Sequence, residues 1–216
     1  MSFDQLNFPD YLTQALHNLK FTEATDIQSK AIPLIRQGKD LLAESQTGTG
    51  KTLAFSFPLI ERINSLPAKK KKISILGLIL VPTRELALQV EKAFCSYAIS
   101  SLREIKVASL IGGESIDAQI RQLRMGLDVL IATPGRVIEL INLGEVRLFE
   151  LEMLILDEAD KMLDLGFSDE LKELLGKLPK KRQNLLFSAT LPKKVEELAK
   201  DFLNDAEEVR VSRDHI

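Results

Sequence analysis

The 216 residues carry 29 Lys plus Arg against 31 Asp plus Glu, a formal net charge of -2, so any polyanion contact must be a local patch and not a whole-chain field. Hydrophobic residues make up 45% of the chain, enough for a sizeable core between layers of helix and sheet, which excludes a disordered chain. No apolar run reaches bilayer length and the first residues lack a basic segment followed by an apolar one, so a soluble, cytoplasmic chain without a membrane partner is expected.

In chain order, helical periodicity over residues 9–19 and 27–37 leads into a strand over 40–43 and a helix over 51–64. Strands over 75–81, 106–111, 128–132 and 153–156 then alternate with helices over 84–100, 115–124 and 135–143. A helix over 168–175, a strand over 184–187, a helix over 192–202 and a strand over 208–211 complete the pattern. Apolar positions recur every three or four residues in the helices and at successive positions in several strands, as expected of strands buried on both faces. The alternation predicts an α/β fold: a three-layer α/β/α arrangement around a mostly parallel sheet. The single cysteine, Cys95, can form neither an internal disulfide nor a metal cluster, and reads as a buried or half-buried filler in the helix over 84–100.

Six strands in succession end in a segment rich in Gly, Thr, Ser, Arg or Asp, and in a parallel sheet those endings share one edge, where ligands bind. Ordinary turns would account for the Gly and Pro of these segments. They would not account for Lys51, Arg84, Arg136 or the acids around Glu158.

After the first strand comes Ser45-Gln46-Thr47-Gly48-Thr49-Gly50-Lys51-Thr52, followed by a helical pattern. Glycines let backbone N–H groups close around phosphate oxygens, and the following helix aims its positive end at them. Lys51 would reach the outer phosphates of a nucleotide and the Thr52 hydroxyl would ligate magnesium, as in a P-loop NTPase. Ser45 stands where Gly or Ala is usual.

The fifth strand delivers Asp157 and Glu158 to the same edge. Magnesium keeps most of its waters and takes one or two carboxylates, which suits Asp157. Glu158 is then placed to orient and polarise an attacking water.

The sequence Asp157-Glu158-Ala159-Asp160, together with PTRELA from Pro82, Gly112-Gly113, TPGR from Thr133 and Ser188-Ala189-Thr190 in that order, resembles the first RecA-like motor domain of the DEAD-box RNA helicases. The match runs from about Phe3 to the C-terminus. It implies ATP and Mg2+ as ligands, with an adenine-recognition segment in which Gln28 reads the adenine edge, Phe21 packs near the base and Thr25 lies beside them. It further implies that Pro82, Thr83, Arg84, Gly113, Thr133 and Arg136 track the phosphates of one RNA strand, and that Asp160, Ser188 and Thr190 couple the nucleotide site to that strand. Residues 1–38 would then form the adenine-recognition segment with its flanking helices, packed on a RecA-like core over 39–216. The family pattern has Gly where Lys20 stands and Pro where Ala24 stands.

Each of these residues also has a plainer reading. The segment around Thr25 and Gln28 is a capped helix start, Gly112-Gly113 a tight turn, the arginines partners of nearby carboxylates, and Ser188 to Thr190 a turn before a helix. Lys69 to Lys72 and Lys180-Lys181-Arg182 read as solvated loops, and His17 and His215 have no partner spacing. A P-loop motor acting on DNA and a non-catalytic RNA-binding module are the competing functional classes. The resemblance implies a second domain of similar fold, whose motifs these 216 residues do not contain. A monomer that binds nucleotide with little turnover by itself is therefore expected.

Overall fold

The computed structural model describes residues 1–67 and 75–211; the lysine run at 69–72 and His215 lie outside the described residues. Seven strands, β1 (Leu41–Glu44), β2 (Gly77–Leu80), β3 (Val107–Leu110), β4 (Val129–Ala132), β5 (Met153–Leu156), β6 (Gln183–Ser188) and β7 (Glu207–Arg210), form one sheet in the order β3-β4-β2-β5-β6-β1-β7. All six neighbouring pairs run parallel. The endings of the first six strands therefore do share an edge.

Successive residues of a strand point to opposite faces, and the core divides accordingly. Ile79, Ile131, Ile155, Leu185 and Phe187 face the layer built from α1 (Asp10–Asn18), α2 (Asp26–Arg36), α3 (Lys51–Ser65) and α4 (Arg84–Ala98). Leu78, Leu130, Leu154 and Leu186 face α5 (Ile116–Arg124), α6 (Pro134–Asn142), α7 (Ala159–Asp164), α8 (Ser168–Lys177) and α9 (Lys193–Phe202). Helix α3 is seated on the sheet by Phe55, whose ring centroid lies 5.5 Å from that of Phe187 on β6. Both rings are fully buried, and truncating either to Ala would cost about 3–5 kcal/mol.

The β1 and β6 starts are clamped by Asp40. Its buried carboxylate accepts from Asn184 N (2.8 Å), Asn184 Nδ2 (2.9 Å) and Asn204 N (2.8 Å). The sequence pattern places Asp40 inside the first strand; in the structure it sits just before it. Most other predicted bounds differ by one or two residues, where helix ends fray and strand pairing tapers.

Two short elements have no counterpart in the sequence reading: a 3-10 turn at Phe3–Leu6 and helix α7. Both are too short for apolar periodicity to register. Cys95 is exposed, which corrects the expectation of a buried or half-buried filler. Ala87, Val90 and Phe94 form the buried stripe of α4, and Cys95, one residue and about 100° further round the helix, falls off it. Among the described residues no helix is long and apolar enough to cross a membrane.

Candidate functional site

Strand β1 feeds the loop 45–50, and α3 starts at its end. The loop is braced from within: Ser45 N donates to Ser188 O (2.9 Å), the Ser45 and Thr49 hydroxyls lie 2.5 Å apart, and Thr49 Oγ1 donates to Gln46 O (2.8 Å). Gln46, Thr47 and Gly48 are exposed. No side chain caps the N-terminus of α3, so its first N–H groups are available to an anion. Gly50 has φ +93°, and a Cβ there would come within 2.3 Å of Gln28 Nε2. Only glycine fits.

Gln28 is buried, and both ends of its amide are engaged. Oε1 accepts from Thr25 N (2.9 Å), completing a capping box on α2, and Nε2 donates to Gly50 O (3.1 Å). The capped helix start is thus present, and it ties the segment before the core to the loop 45–50. Phe21 is 43% exposed, free to meet a planar ligand.

Lys51 is 5% exposed. Among the described residues its Nζ makes no hydrogen bond, and it lies 3.6 Å from Asp157 Oδ1. Desolvation raises the Asp157 carboxyl above its ordinary pKa, while the Lys51 ammonium pulls it back. A buried ammonium held only by a 3.6 Å ion pair leaves hydrogen-bonding capacity unused, which is costly. The pair therefore fits an anionic ligand with a metal, for which Lys51, Asp157 and the adjacent Thr52 offer the donor set.

Glu158 follows in the left-handed region (φ 56°). That turn re-aims its carboxylate: Oε1 accepts from Thr47 Oγ1 (3.2 Å) and Oε2 from Lys161 Nζ (2.9 Å). The side-chain hydrogen bond to Glu158 raises the Lys161 pKa. Lys161 was not singled out in the sequence. Its spacing of i+3 from Glu158 would have revealed it had α7 been legible.

Asp160 lies past the end of β5, two strands along the sheet from β1. Its carboxylate accepts from Thr190 N (3.1 Å) and Thr190 Oγ1 (2.9 Å), while its own N–H donates to Ser188 Oγ (3.2 Å). Desolvation pushes the Asp160 carboxyl up, but the bonds from Thr190 and the backbone outweigh it and hold its pKa below the ordinary value. Asp160, Ser188 and Thr190 are thus one hydrogen-bonded cluster.

Further along the edge, Thr83 Oγ1 caps α4 through Leu86 N (3.2 Å), directly after the buried Pro82. The exposed Arg84 reaches over Gly113, where φ is +79° and a Cβ would meet Arg84 Nη1 at 2.3 Å. A Cβ on Gly112 would meet nothing within 4 Å. Thr133 stands before α6 without a capping bond from its side chain. Arg136 realises the plainer of its two readings: its side chain is 9% exposed, Nε lies 3.4 Å from Glu139 Oε2 and Nη2 donates to Glu114 O (3.5 Å). The edge thus combines two helix N-termini with one open arginine and one carboxylate-paired arginine.

The family model of DEAD/DEAH box helicases matches residues 25–198. The chain belongs to the DEAD/DEAH box helicase family. It is 40% identical over 210 residues to the DEAD-box ATP-dependent RNA helicase CshA of Geobacillus kaustophilus, covering 97% of this chain and 44% of that protein. Against the RNA helicase CrhR of Synechocystis the identity is 43%, covering 98% and 42%. Against the ATP-dependent RNA helicase DBP2 of Mycosarcoma maydis it is 40%, covering 97% and 38%. The crystal structure of a DEAD box protein from Methanococcus jannaschii superposes with a TM-score of 0.89 at 37% identity, covering 98% of this chain and 56% of that one. A hypothetical ATP-dependent RNA helicase from Sulfolobus tokodaii gives 0.85 at 34%, covering 94% and 57%. The chain spans less than half the length of these curated relatives. Its seven-stranded sheet is the RecA-like fold of DEAD-box proteins.

The three departures from the DEAD-box pattern each have a local account. Lys20 adopts φ 59°, a region glycine enters without steric cost. Ala24 N donates to Met1 O (2.8 Å), a bond proline could not make. The Ser45 hydroxyl braces Thr49.

Proposed function

We propose that this chain is the ATP-binding first motor domain of an RNA helicase, and that the longer protein couples ATP hydrolysis to separation or remodelling of short RNA duplexes. The observation that carries the reading is the buried Lys51 ammonium, without a hydrogen bond and 3.6 Å from Asp157, at the mouth of an uncapped helix. A triphosphate supplies the acceptors that Lys51 lacks.

In this reading Gln28, Phe21 and Thr25 hold the adenine end, and residues 46–52 hold the phosphates. Gln28 recognises adenine by exchanging at least one of its present bonds, which makes the α2 cap and the loop responsive to the base. Thr52 and Asp157 would hold magnesium, which neutralises phosphate charge when bound. Glu158 orients and polarises the attacking water once its carboxylate is released from Thr47 or Lys161. Asp160, Ser188 and Thr190 tie the end of β5 to the end of β6, joining the nucleotide site to the edge where Pro82, Thr83, Arg84, Gly113, Thr133 and Arg136 meet RNA phosphates. Such contacts position a strand without reading its bases.

The relatives' length leaves room for a second RecA-like domain that supplies an arginine to the phosphates. In related NTPases that arginine is worth roughly 10³ to 10⁵-fold in turnover, so the 216-residue chain, as a cytoplasmic monomer, binds nucleotide and turns it over little. The test uses the longer protein. Glu158→Gln should retain ATP affinity and lose RNA-stimulated hydrolysis, and stimulation should favour RNA over DNA of equal length. Equal or stronger stimulation by DNA would select the DNA-motor reading, and absence of turnover in the unaltered protein would select a non-catalytic module.

A further inference from the structure

Among the described residues, one cleft lies away from the proposed nucleotide edge. At the opposite edge of the sheet, beneath the first residues of β5 and β6, the end of α2 and the second half of α3 frame a cleft of about 730 Å³. That volume falls within the roughly 300–1,000 Å³ of clefts that bury a drug-sized ligand. Its apolar lining includes the half-buried Pro33 and the buried Pro58 and Met153. No aromatic residue lines it, so it offers no stacking platform for bases.

Its rim is cationic. Arg36 and Arg62 are already committed, to Glu61 (2.9 Å) and Glu152 (2.8 Å), which consumes both carboxylates of the lining. Lys181 is exposed and, among the described residues, makes no ion pair. Arg182 is half-buried and, among the described residues, donates Nη1 to Pro179 O (2.5 Å) while its buried Nε has no hydrogen-bond partner. Desolvation lowers its pKa, with only the more distant Asp40 pulling the other way. Asp40 is itself spent on Asn184 and Asn204. A partly desolvated guanidinium without a paired carboxylate is unfavourable, and an incoming carboxylate would supply one.

We infer that this cleft is a docking site for an acidic segment of a protein partner, whose carboxylates pair with Arg182 and Lys181 while its apolar side chains lie against Pro33. The site stands a full strand length from Lys51 and Asp157 and rests on neither nucleotide nor RNA binding.

The test is a titration of the 216-residue chain with a fluorescein-labelled peptide of repeated Glu-Glu-Leu units, read by anisotropy and by amide chemical shifts. Binding should saturate, move the amides of Gly38 and Gln183, and persist in saturating ATP analogue. Lys181→Glu should weaken it by about tenfold or more, the effect of converting a charge pair to a repulsion at a partly desolvated contact. Because Lys181 is exposed, that variant should melt with the unaltered chain. Arg182→Lys, which keeps the charge and removes the fork, should also weaken binding. Absence of saturable binding, equal binding of the matching Gln-Gln-Leu peptide, indifference to Lys181→Glu, or displacement of the peptide by oligouridylate or millimolar inorganic phosphate would each overturn the assignment.

Discussion

Thr190 gives Asp160 two hydrogen bonds, one from its backbone N–H at 3.1 Å and one from its hydroxyl at 2.9 Å. The two residues lie past the ends of β5 and β6, so the bonds join the acidic loop to the last of the edge segments. The Asp160 carboxyl is a stronger acid folded than unfolded. The stabilisation is therefore whole above the unfolded value of about 3.9, and is lost as pH falls through the lower folded value. Thr190→Val should cost about 1 kcal/mol at neutral pH, and urea melts across pH should show that difference shrinking below about pH 4.

Gly113 is held at φ +79° under the Arg84 guanidinium. Gly113→Ala should lower stability by about 1–2 kcal/mol through the left-handed backbone. It should also push Arg84 aside. In the longer protein, RNA affinity should fall across all sequences and the salt slope of binding should drop by about one, measured by anisotropy at several salt concentrations.

Lys20 is a long side chain at φ 59°. Relief of about 1–2 kcal/mol of left-handed strain, less about 0.5–1 kcal/mol of backbone entropy, makes Lys20→Gly stabilising by roughly 0.5–1 kcal/mol. Thermal melts should show a rise of a few degrees at unchanged nucleotide affinity.

Much of this was legible in the sequence because each strand ending combines a backbone device with a reactive side chain. Gly50 and Lys51 read as a phosphate cradle, and Asp157 with Glu158 as a metal and water pair, from spacing alone. The strands read from their apolar runs, and their shared edge from parallel alternation. What sequence could not show were relations across the sheet. Lys161 sits on a six-residue helix too short for periodicity, and Thr47 meets Glu158 across 111 positions. The engagement of Gln28 with Gly50 and the partnering of Arg136 by Glu139 depend on side-chain direction, which spacing does not fix. Cys95 was misplaced because periodicity marks a stripe to within a residue and Phe94 occupies it. The Arg182 cleft was invisible because Lys180-Lys181-Arg182 looks like any solvated loop.

The account depends on Lys51 serving as the phosphate anchor. Calorimetric titration of the 216-residue chain with a non-hydrolysable ATP analogue and magnesium tests this most directly, comparing the unaltered chain with Lys51→Ala. The account predicts saturable binding to the first and none detectable to the second, with both proteins folded by circular dichroism. Equal affinity in the two would contradict it.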